Sequence, residues 1–220
     1  MKTNSTSTEI LIIASMLAPL AYLALVWNQL PAEIATHYDL NGNPNDWVPR
    51  QTAAICIGSL SALLYVVLRF MPAIDPKGQL QTLNYQKLRF VITLFFAAIM
   101  GWVFYMASHP ADGKLSTGML LALVGLLLAG MGNYMTTIKP NWFVGIRTRW
   151  TLQSESVWRK THRMGGRLMV VGGLLSAILA LVVPMPYTIG VVVSLLLAVA
   201  IIPVIYSYVY FRQEKAHQLN

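Results

Sequence analysis

The chain has 220 residues, 56% of them hydrophobic and 11% charged, against about 25% charged in an average soluble domain. A soluble fold of this length cannot bury so much apolar surface and still wet its exterior with so few charges, which excludes an ordinary soluble enzyme, a disordered chain and a disulfide-stapled module. One cysteine, Cys56, excludes an intrachain disulfide and a cysteine-based metal cluster within one chain, and the net charge of +8 reads as cationic loops of a membrane protein before it reads as nucleic-acid affinity.

A membrane-spanning helix takes roughly 20 mostly apolar residues. Six stretches qualify: 10–27 with Pro19 inside, 52–71, 90–107, 116–135, 168–183 (extendable backwards through Met164) and 187–211 with Pro203 inside. None contains an acidic residue, and the only charge within them is Arg69, near enough to a span end to snorkel. The first stretch reads as a retained span. Lys2 is a thin basic leader, and no small-x-small cleavage site precedes Pro31.

Charge placement sets the expected orientation. With both termini in the cytoplasm, the outer segments carry only Arg50 and Lys114 of the 16 basic residues, leaving 14 inside. Basic residues decide orientation and acidic ones contribute little. The expected fold class is therefore an all-α integral membrane protein of six transmembrane helices, both termini cytoplasmic. The expected halves are 1–110 and 111–220, each with three spans and one long polar loop.

The first long loop, 31–50, is external in this orientation. Its Asn41-Gly42 and Asn43-Pro44 pairs are turn signals, with His37-Tyr38 and Trp47 flanking them like arms of a small hairpin. Asp39, Asn41, Asn43 and Asn45 imitate half an EF-hand loop. Pro44 at the glycine position and Arg50 at the bidentate glutamate position break that pattern. A zinc site would need His37 and His109 to converge with Asp39 or Asp112; the competing reading is a hydrogen-bonded histidine that holds the turn. No cofactor is implied.

The second long loop, 139–167, is internal. Pro140 ends a helix or starts a turn, and Gly145 permits backbone geometry that other residues avoid. From Ile146 to Trp150 the pattern alternates. If extended, Ile146, Thr148 and Trp150 share one face, with Arg147 and Arg149 on the other. Ser154 is a candidate N-cap, with Glu155 in the first turn. The helix it starts places Trp158, Thr161, His162 and Gly165 on one face, and Arg159, Arg163 and Arg167 on the other with Lys160 near them. The plain reading is a juxtamembrane loop with interfacial tryptophans and phosphate-facing cations. The sharper one is a folded surface for a partner or an anion: Arg147 gives bidentate hydrogen bonds, Trp150 and Trp158 contact area, and Thr161 and His162 a shared pocket. No hydrolase, P-loop or dinucleotide signature occurs. Gly172, Gly173 and Ser176, with Gly125 and Gly130, offer small faces for helix packing.

Asn141, the run Gly145-Ile146-Arg147-Thr148, then Trp150-Thr151-Leu152, Ser154, Trp158 and Thr161-His162 closely resemble the C-terminal signature of the SdpI-type bacterial immunity proteins. The family pattern usually has proline where this chain has Arg149, which leaves Arg147 as the better match and Arg149 outside the transfer. The outer arrangement of Pro31, His37, Gly42, Pro44 and Trp47 is similar to the N-terminal domain often joined to that signature. The resemblance implies immunity to a secreted antimicrobial peptide toxin. It also implies signalling, in which the toxin-engaged membrane protein sequesters a cytoplasmic ArsR-type repressor. Expected partners are thus the lipid bilayer, the peptide toxin and that repressor, with no direct contact to nucleic acid. The sensing residues would be His37, Asp39, Gly42, Pro44 and Trp47, and the partner-binding ones Asn141, Gly145, Arg147, Thr148, Trp150, Thr151, Trp158, Thr161 and His162. Two other classes stay open. One is a membrane enzyme in which Arg147, Thr161 and His162 hold an anionic lipid or peptide; the other is a passive lipid- or peptide-binding protein.

Overall fold

The apolar stretches become helices whose ends are set by caps, turns and prolines. The computed structural model describes residues 5–39, 43–109, 116–184 and 187–218. In chain order it runs α1 (Thr6–Val26), a 3-10 turn (Trp27–Gln29), β1 (Glu33–Tyr38), β2 (Pro44–Pro49), α2 (Arg50–Ile74), α3 (Leu83–Ser108), α4 (Ser116–Met135), the short α5 (Arg149–Gln153), α6 (Glu155–Val182) and α7 (Tyr187–Gln218). Six of the described helices are long and apolar enough to cross a membrane. The protein is a multi-pass, helical membrane protein, with one small hairpin among the described residues.

Several helices outrun the hydropathic windows because capping, not apolarity, decides where a helix starts. Thr82 accepts the Tyr85 N–H at 3.2 Å and starts α3, seven residues before the apolar window opens at 90. Ser154 accepts the Val157 N–H at 3.3 Å and starts α6. Helix α1 begins at Thr6 and takes Glu9 into its first turn, so a carboxylate does sit in a spanning helix. It has partners there. The Arg89 guanidinium donates to both Glu9 oxygens at 3.0 and 3.1 Å, and the Tyr65 hydroxyl donates to one of them at 2.9 Å.

Prolines inside the spans leave carbonyls to be satisfied elsewhere. Pro72 cannot donate to the Leu68 carbonyl, and the Tyr85 hydroxyl does so instead at 2.8 Å. This bond pins the start of α3 to the end of α2.

Helix α4 packs on α6 through small residues at sevenfold spacing. Gly118, Gly125 and Gly132 on α4 face Ala180, Gly173 and Gly166 on α6, in antiparallel order. A Cβ built on Gly125 would stand 2.6 Å from the Gly173 carbonyl oxygen, and one on Gly173 would stand 2.5 Å from that of Gly125. The two backbones are therefore in direct contact, as small-residue faces allow. Of the other small residues expected to pack, Ser176 lies on this same contact, Gly172 meets Val199 of α7, and Gly130 meets Val91 of α3. Helix α1 packs on α3, α3 on α4, and α6 on α7.

The hairpin pairs antiparallel in the register Glu33 with Pro49, Ile34 with Val48 and Ala35 with Trp47, then shifts so that His37 faces Asp46. Ile34 carries it into a buried cluster with Leu23, Val26, Leu30, Ala53 and Phe104. Arg50 fastens the joint by donating to the Trp27 and Leu30 carbonyls at 3.1 and 3.2 Å, with its guanidinium 5.0 Å from the Trp27 ring centre. The segment 139–148 lies at the other end of the bundle, where the Trp142 N–H approaches Asp75 after α2.

Candidate functional site

Segment 136–154 joins α4 to α6 and is folded by its own side chains. Asn141 is fully buried. Its Nδ2 donates to the Lys139 and Val144 carbonyls, both at 2.9 Å, and its Oδ1 accepts the Phe143 and Val144 N–H groups at 2.8 and 2.7 Å. All of its hydrogen-bonding capacity thus goes to the local backbone.

Gly145 follows with φ of +120°, and a Cβ there would collide with His162 Nε2. This close approach lets the Ile146 N–H reach Nε2 at 3.0 Å. A backbone N–H only donates, so Nε2 accepts. Nδ1 then carries the proton and donates to the Trp158 carbonyl at 2.8 Å. The imidazole also stacks on the Trp158 indole, centres 4.0 Å apart, and the indole N–H donates to the Ile138 carbonyl at 2.8 Å. The expected face of Trp158, Thr161, His162 and Gly165 is real, and it points inward. Trp158 and His162 are each 1% exposed and Thr161 is fully buried. Trp158 therefore offers packing rather than open contact area, because its indole fills the space under the 139–146 turn with Leu88 and Ile138.

The extended alternation ends at Thr148, where α5 begins. Thr148 and Thr151 form a reciprocal capping box: the Thr148 hydroxyl accepts the Thr151 N–H at 3.2 Å, and the Thr151 hydroxyl accepts the Thr148 N–H at 2.9 Å. The Thr151 hydroxyl also donates to the Ile146 carbonyl at 2.9 Å. Arg149 and Trp150 are thus helical, not part of an extended strip. Arg149 stands at the first helical position, where proline is favoured because its missing N–H is not needed. The capping box fixes this turn with arginine in that place.

Helix α7 supplies the other wall. Ser207 hydrogen bonds Thr148 at 3.0 Å, Tyr208 meets Trp150 with ring centres 5.0 Å apart, and Tyr210 lies 4.0 Å below the Lys160 ammonium. Glu214 accepts from Ser154 at 2.7 Å and also from Ser156. The sequence reading singled out none of these α7 residues. Their signal is the run after Pro203, where Ser207, Tyr210 and Glu214 fall three and four apart on one helix face.

Against this internally bonded framework, Arg147 is exposed and makes no hydrogen bond or ion pair among the described residues. Arg149, Arg163 and Arg167 are also exposed, and Arg159 pairs with Glu155 at 2.8 Å. Arg147 is thus exposed while Thr161 and His162 are buried, and both imidazole nitrogens are occupied.

At the hairpin end, His37 Nδ1 lies 3.1 Å from the Asp46 carboxylate, with both side chains exposed. Asp39 accepts the Asn43 N–H at 2.8 Å and the Asn43 side-chain amide at 3.2 Å. Pro44 starts β2, and Trp47 is half exposed. Gly42 and Asp112 lie outside the described residues. Among the described residues no group of three or more His, Cys, Asp or Glu side chains is placed to hold a metal. His109 instead stacks on Tyr105, centres 4.5 Å apart. Beside the hairpin cluster, Tyr22, Gly101, Trp102, Tyr105, Met119 and Leu123 line an apolar groove of about 430 Å³ between α1, α3 and α4.

Residues 137–210 match the SdpI/YfhL protein family, and residues 14–61 match a domain of unknown function, DUF1648. The chain is 24% identical over 204 residues to the immunity protein SdpI of Bacillus subtilis (strain 168), covering 92% of this chain and 96% of that protein. No solved structure matches.

Proposed function

Since this chain belongs to the SdpI-type family, we propose that it is a cell-membrane immunity protein that protects against a secreted antimicrobial peptide toxin. It takes the toxin at the hairpin end and, in that state, holds a small ArsR-type repressor on its inner face. The carrying observation is Arg147. Asn141, Thr148, Thr151 and His162 spend their polar groups on the local backbone, on each other and on Ser207, while this guanidinium stands exposed and unpaired among the described residues. A planar fork of five donors on a rigid base suits a carboxylate on a protein partner.

With both termini cytoplasmic, the 14-to-2 division of basic residues faces Arg147 to the cell interior. The hairpin around His37, Asp39, Pro44 and Trp47, with the neighbouring aromatic groove, then faces the toxin. Helix α3 connects the two ends. Phe104 belongs to the buried cluster under the hairpin, and Leu88 to the cluster under Trp158. Toxin binding relays to the inner face only by favouring one of two helix arrangements that differ in affinity for the repressor.

Copurification tests this. The tagged chain, expressed with a small winged-helix repressor of the ArsR type, retains that repressor when cells are exposed to toxin. Arg147→Ala at equal membrane abundance loses it. Equal retention by the parent and Arg147→Ala removes Arg147 from the relay.

A further inference from the structure

The two ends of the molecule leave one charged cluster without a role. It sits where α1 begins, α2 ends and α3 starts. Arg69, Phe70, Leu80, Gln81, Tyr85 and Arg89 line a cavity of about 290 Å³ there. Two guanidinium groups face it, and Glu9 is the carboxylate that pairs with them. Arg89 is 2% exposed and holds Glu9 through both terminal nitrogens, at 3.0 and 3.1 Å. Tyr65 occupies Glu9 as well, at 2.9 Å. Arg69 reaches that carboxylate only at 3.7 Å, and its side chain is 42% exposed. The Nε of Arg89 is buried and has no hydrogen-bond partner among the described residues. Asp75, the next nearest acidic residue in sequence, is committed to the backbone N–H groups of Gln79 at 2.9 Å and Lys77 at 3.4 Å. The cluster thus has two cations against one carboxylate, a buried charged donor with nothing to accept it, and a loosely held arginine at the cavity mouth.

From this geometry we infer that the cavity between the end of α2 and the start of α3 binds a phosphate group, held by Arg69 and the Nε of Arg89. Phosphate offers several acceptor oxygens and suits paired, forked donors. It would neutralise the surplus charge and satisfy the orphaned Nε–H, whose burial alone is costly. Phe70, Ile74 and Leu83, all more than half exposed beside the cavity, continue it as apolar surface, as a phosphate carrying acyl chains requires. The phosphate group has two possible sources, a lipid headgroup and the free anion.

The test follows thermal unfolding of the purified full-length protein in zwitterionic detergent, by intrinsic fluorescence. Phosphatidylglycerol, diacylglycerol with the same chains, and inorganic phosphate are titrated separately. Phosphatidylglycerol raises the midpoint saturably and diacylglycerol does not. Arg69→Gln weakens the apparent affinity about tenfold, the loss of one charge-assisted contact, and Arg163→Gln leaves it unchanged. A saturable, Arg69-dependent rise with inorganic phosphate alone supports the site and identifies the source as the free anion. Arg89→Gln by itself strands Glu9, so the Glu9→Gln/Arg89→Gln double variant serves as the second probe, with the same weakening expected. Equal phosphatidylglycerol and phosphate responses in the parent, Arg69→Gln and the double variant overturn the proposal, as does a parent protein that responds to neither.

Discussion

Gly145 and His162 occupy one space: a Cβ on the first would overlap the Nε2 of the second, the nitrogen that takes the Ile146 N–H. The imidazole therefore acts as a strut between the turn and α6. Gly145→Ala adds strain at positive φ and breaks that buried bond, at a cost of about 3 kcal/mol. Denaturant unfolding in detergent measures it. Gly58→Ala is the control, since a Cβ there meets nothing within 4 Å, and it leaves stability level or slightly raised. Nitrogen NMR of labelled histidine provides a second check: a protonated Nδ1 with a bare Nε2 at His162 is expected.

The α4 and α6 backbones touch through Gly125 and Gly173. Gly125→Val and Gly173→Val each force the helices apart, at about 1–3 kcal/mol. Gly190→Val, in open space on α7, changes stability far less. Equal effects at the three positions would contradict close α4–α6 packing.

Glu9, which is half-buried, pairs with the buried Arg89 between α1 and α3. Removing one partner strands the other, so Glu9→Gln costs about 3–5 kcal/mol. The Glu9→Gln/Arg89→Gln double variant recovers much of that loss. A double-mutant cycle on unfolding free energies reads the coupling, and simple additivity would contradict the pair.

The spans were legible because about 20 apolar residues per crossing is a strong, nonlocal constraint. The hairpin arms were legible from Asn-Gly and Asn-Pro turn chemistry, and the inward stripe of Trp158 and His162 from helical spacing. Hydropathy opens the first window at residue 10 and leaves Glu9 outside it; its arginine lies 80 positions away, and no local pattern announces the bond. The alternation from Ile146 to Trp150 leaves an extended strip open, because five alternating residues mimic a strand. The capping box that starts α5 depends on Thr151 turning back onto Thr148. The α7 wall is not legible in the sequence, because Ser207 and Glu214 acquire meaning only once the inner segment folds against them.

Orientation rests on charge and is directly measurable. In a Cys56→Ser background, Arg147→Cys reacts with a membrane-impermeant maleimide only after cells are permeabilised. Thr36→Cys, on β1, reacts in intact cells. The reverse pattern inverts the topology and separates the hairpin from toxin.

Survival is the most direct measure of the function. Sensitive bacteria that produce the chain are challenged with the peptide toxin beside cells carrying an empty vector. Cells producing the chain grow where vector cells lyse, and Gly145→Ala, which dismantles the inner framework, abolishes that growth. Equal killing of producing and vector cells, with the chain present in the membrane, would contradict immunity.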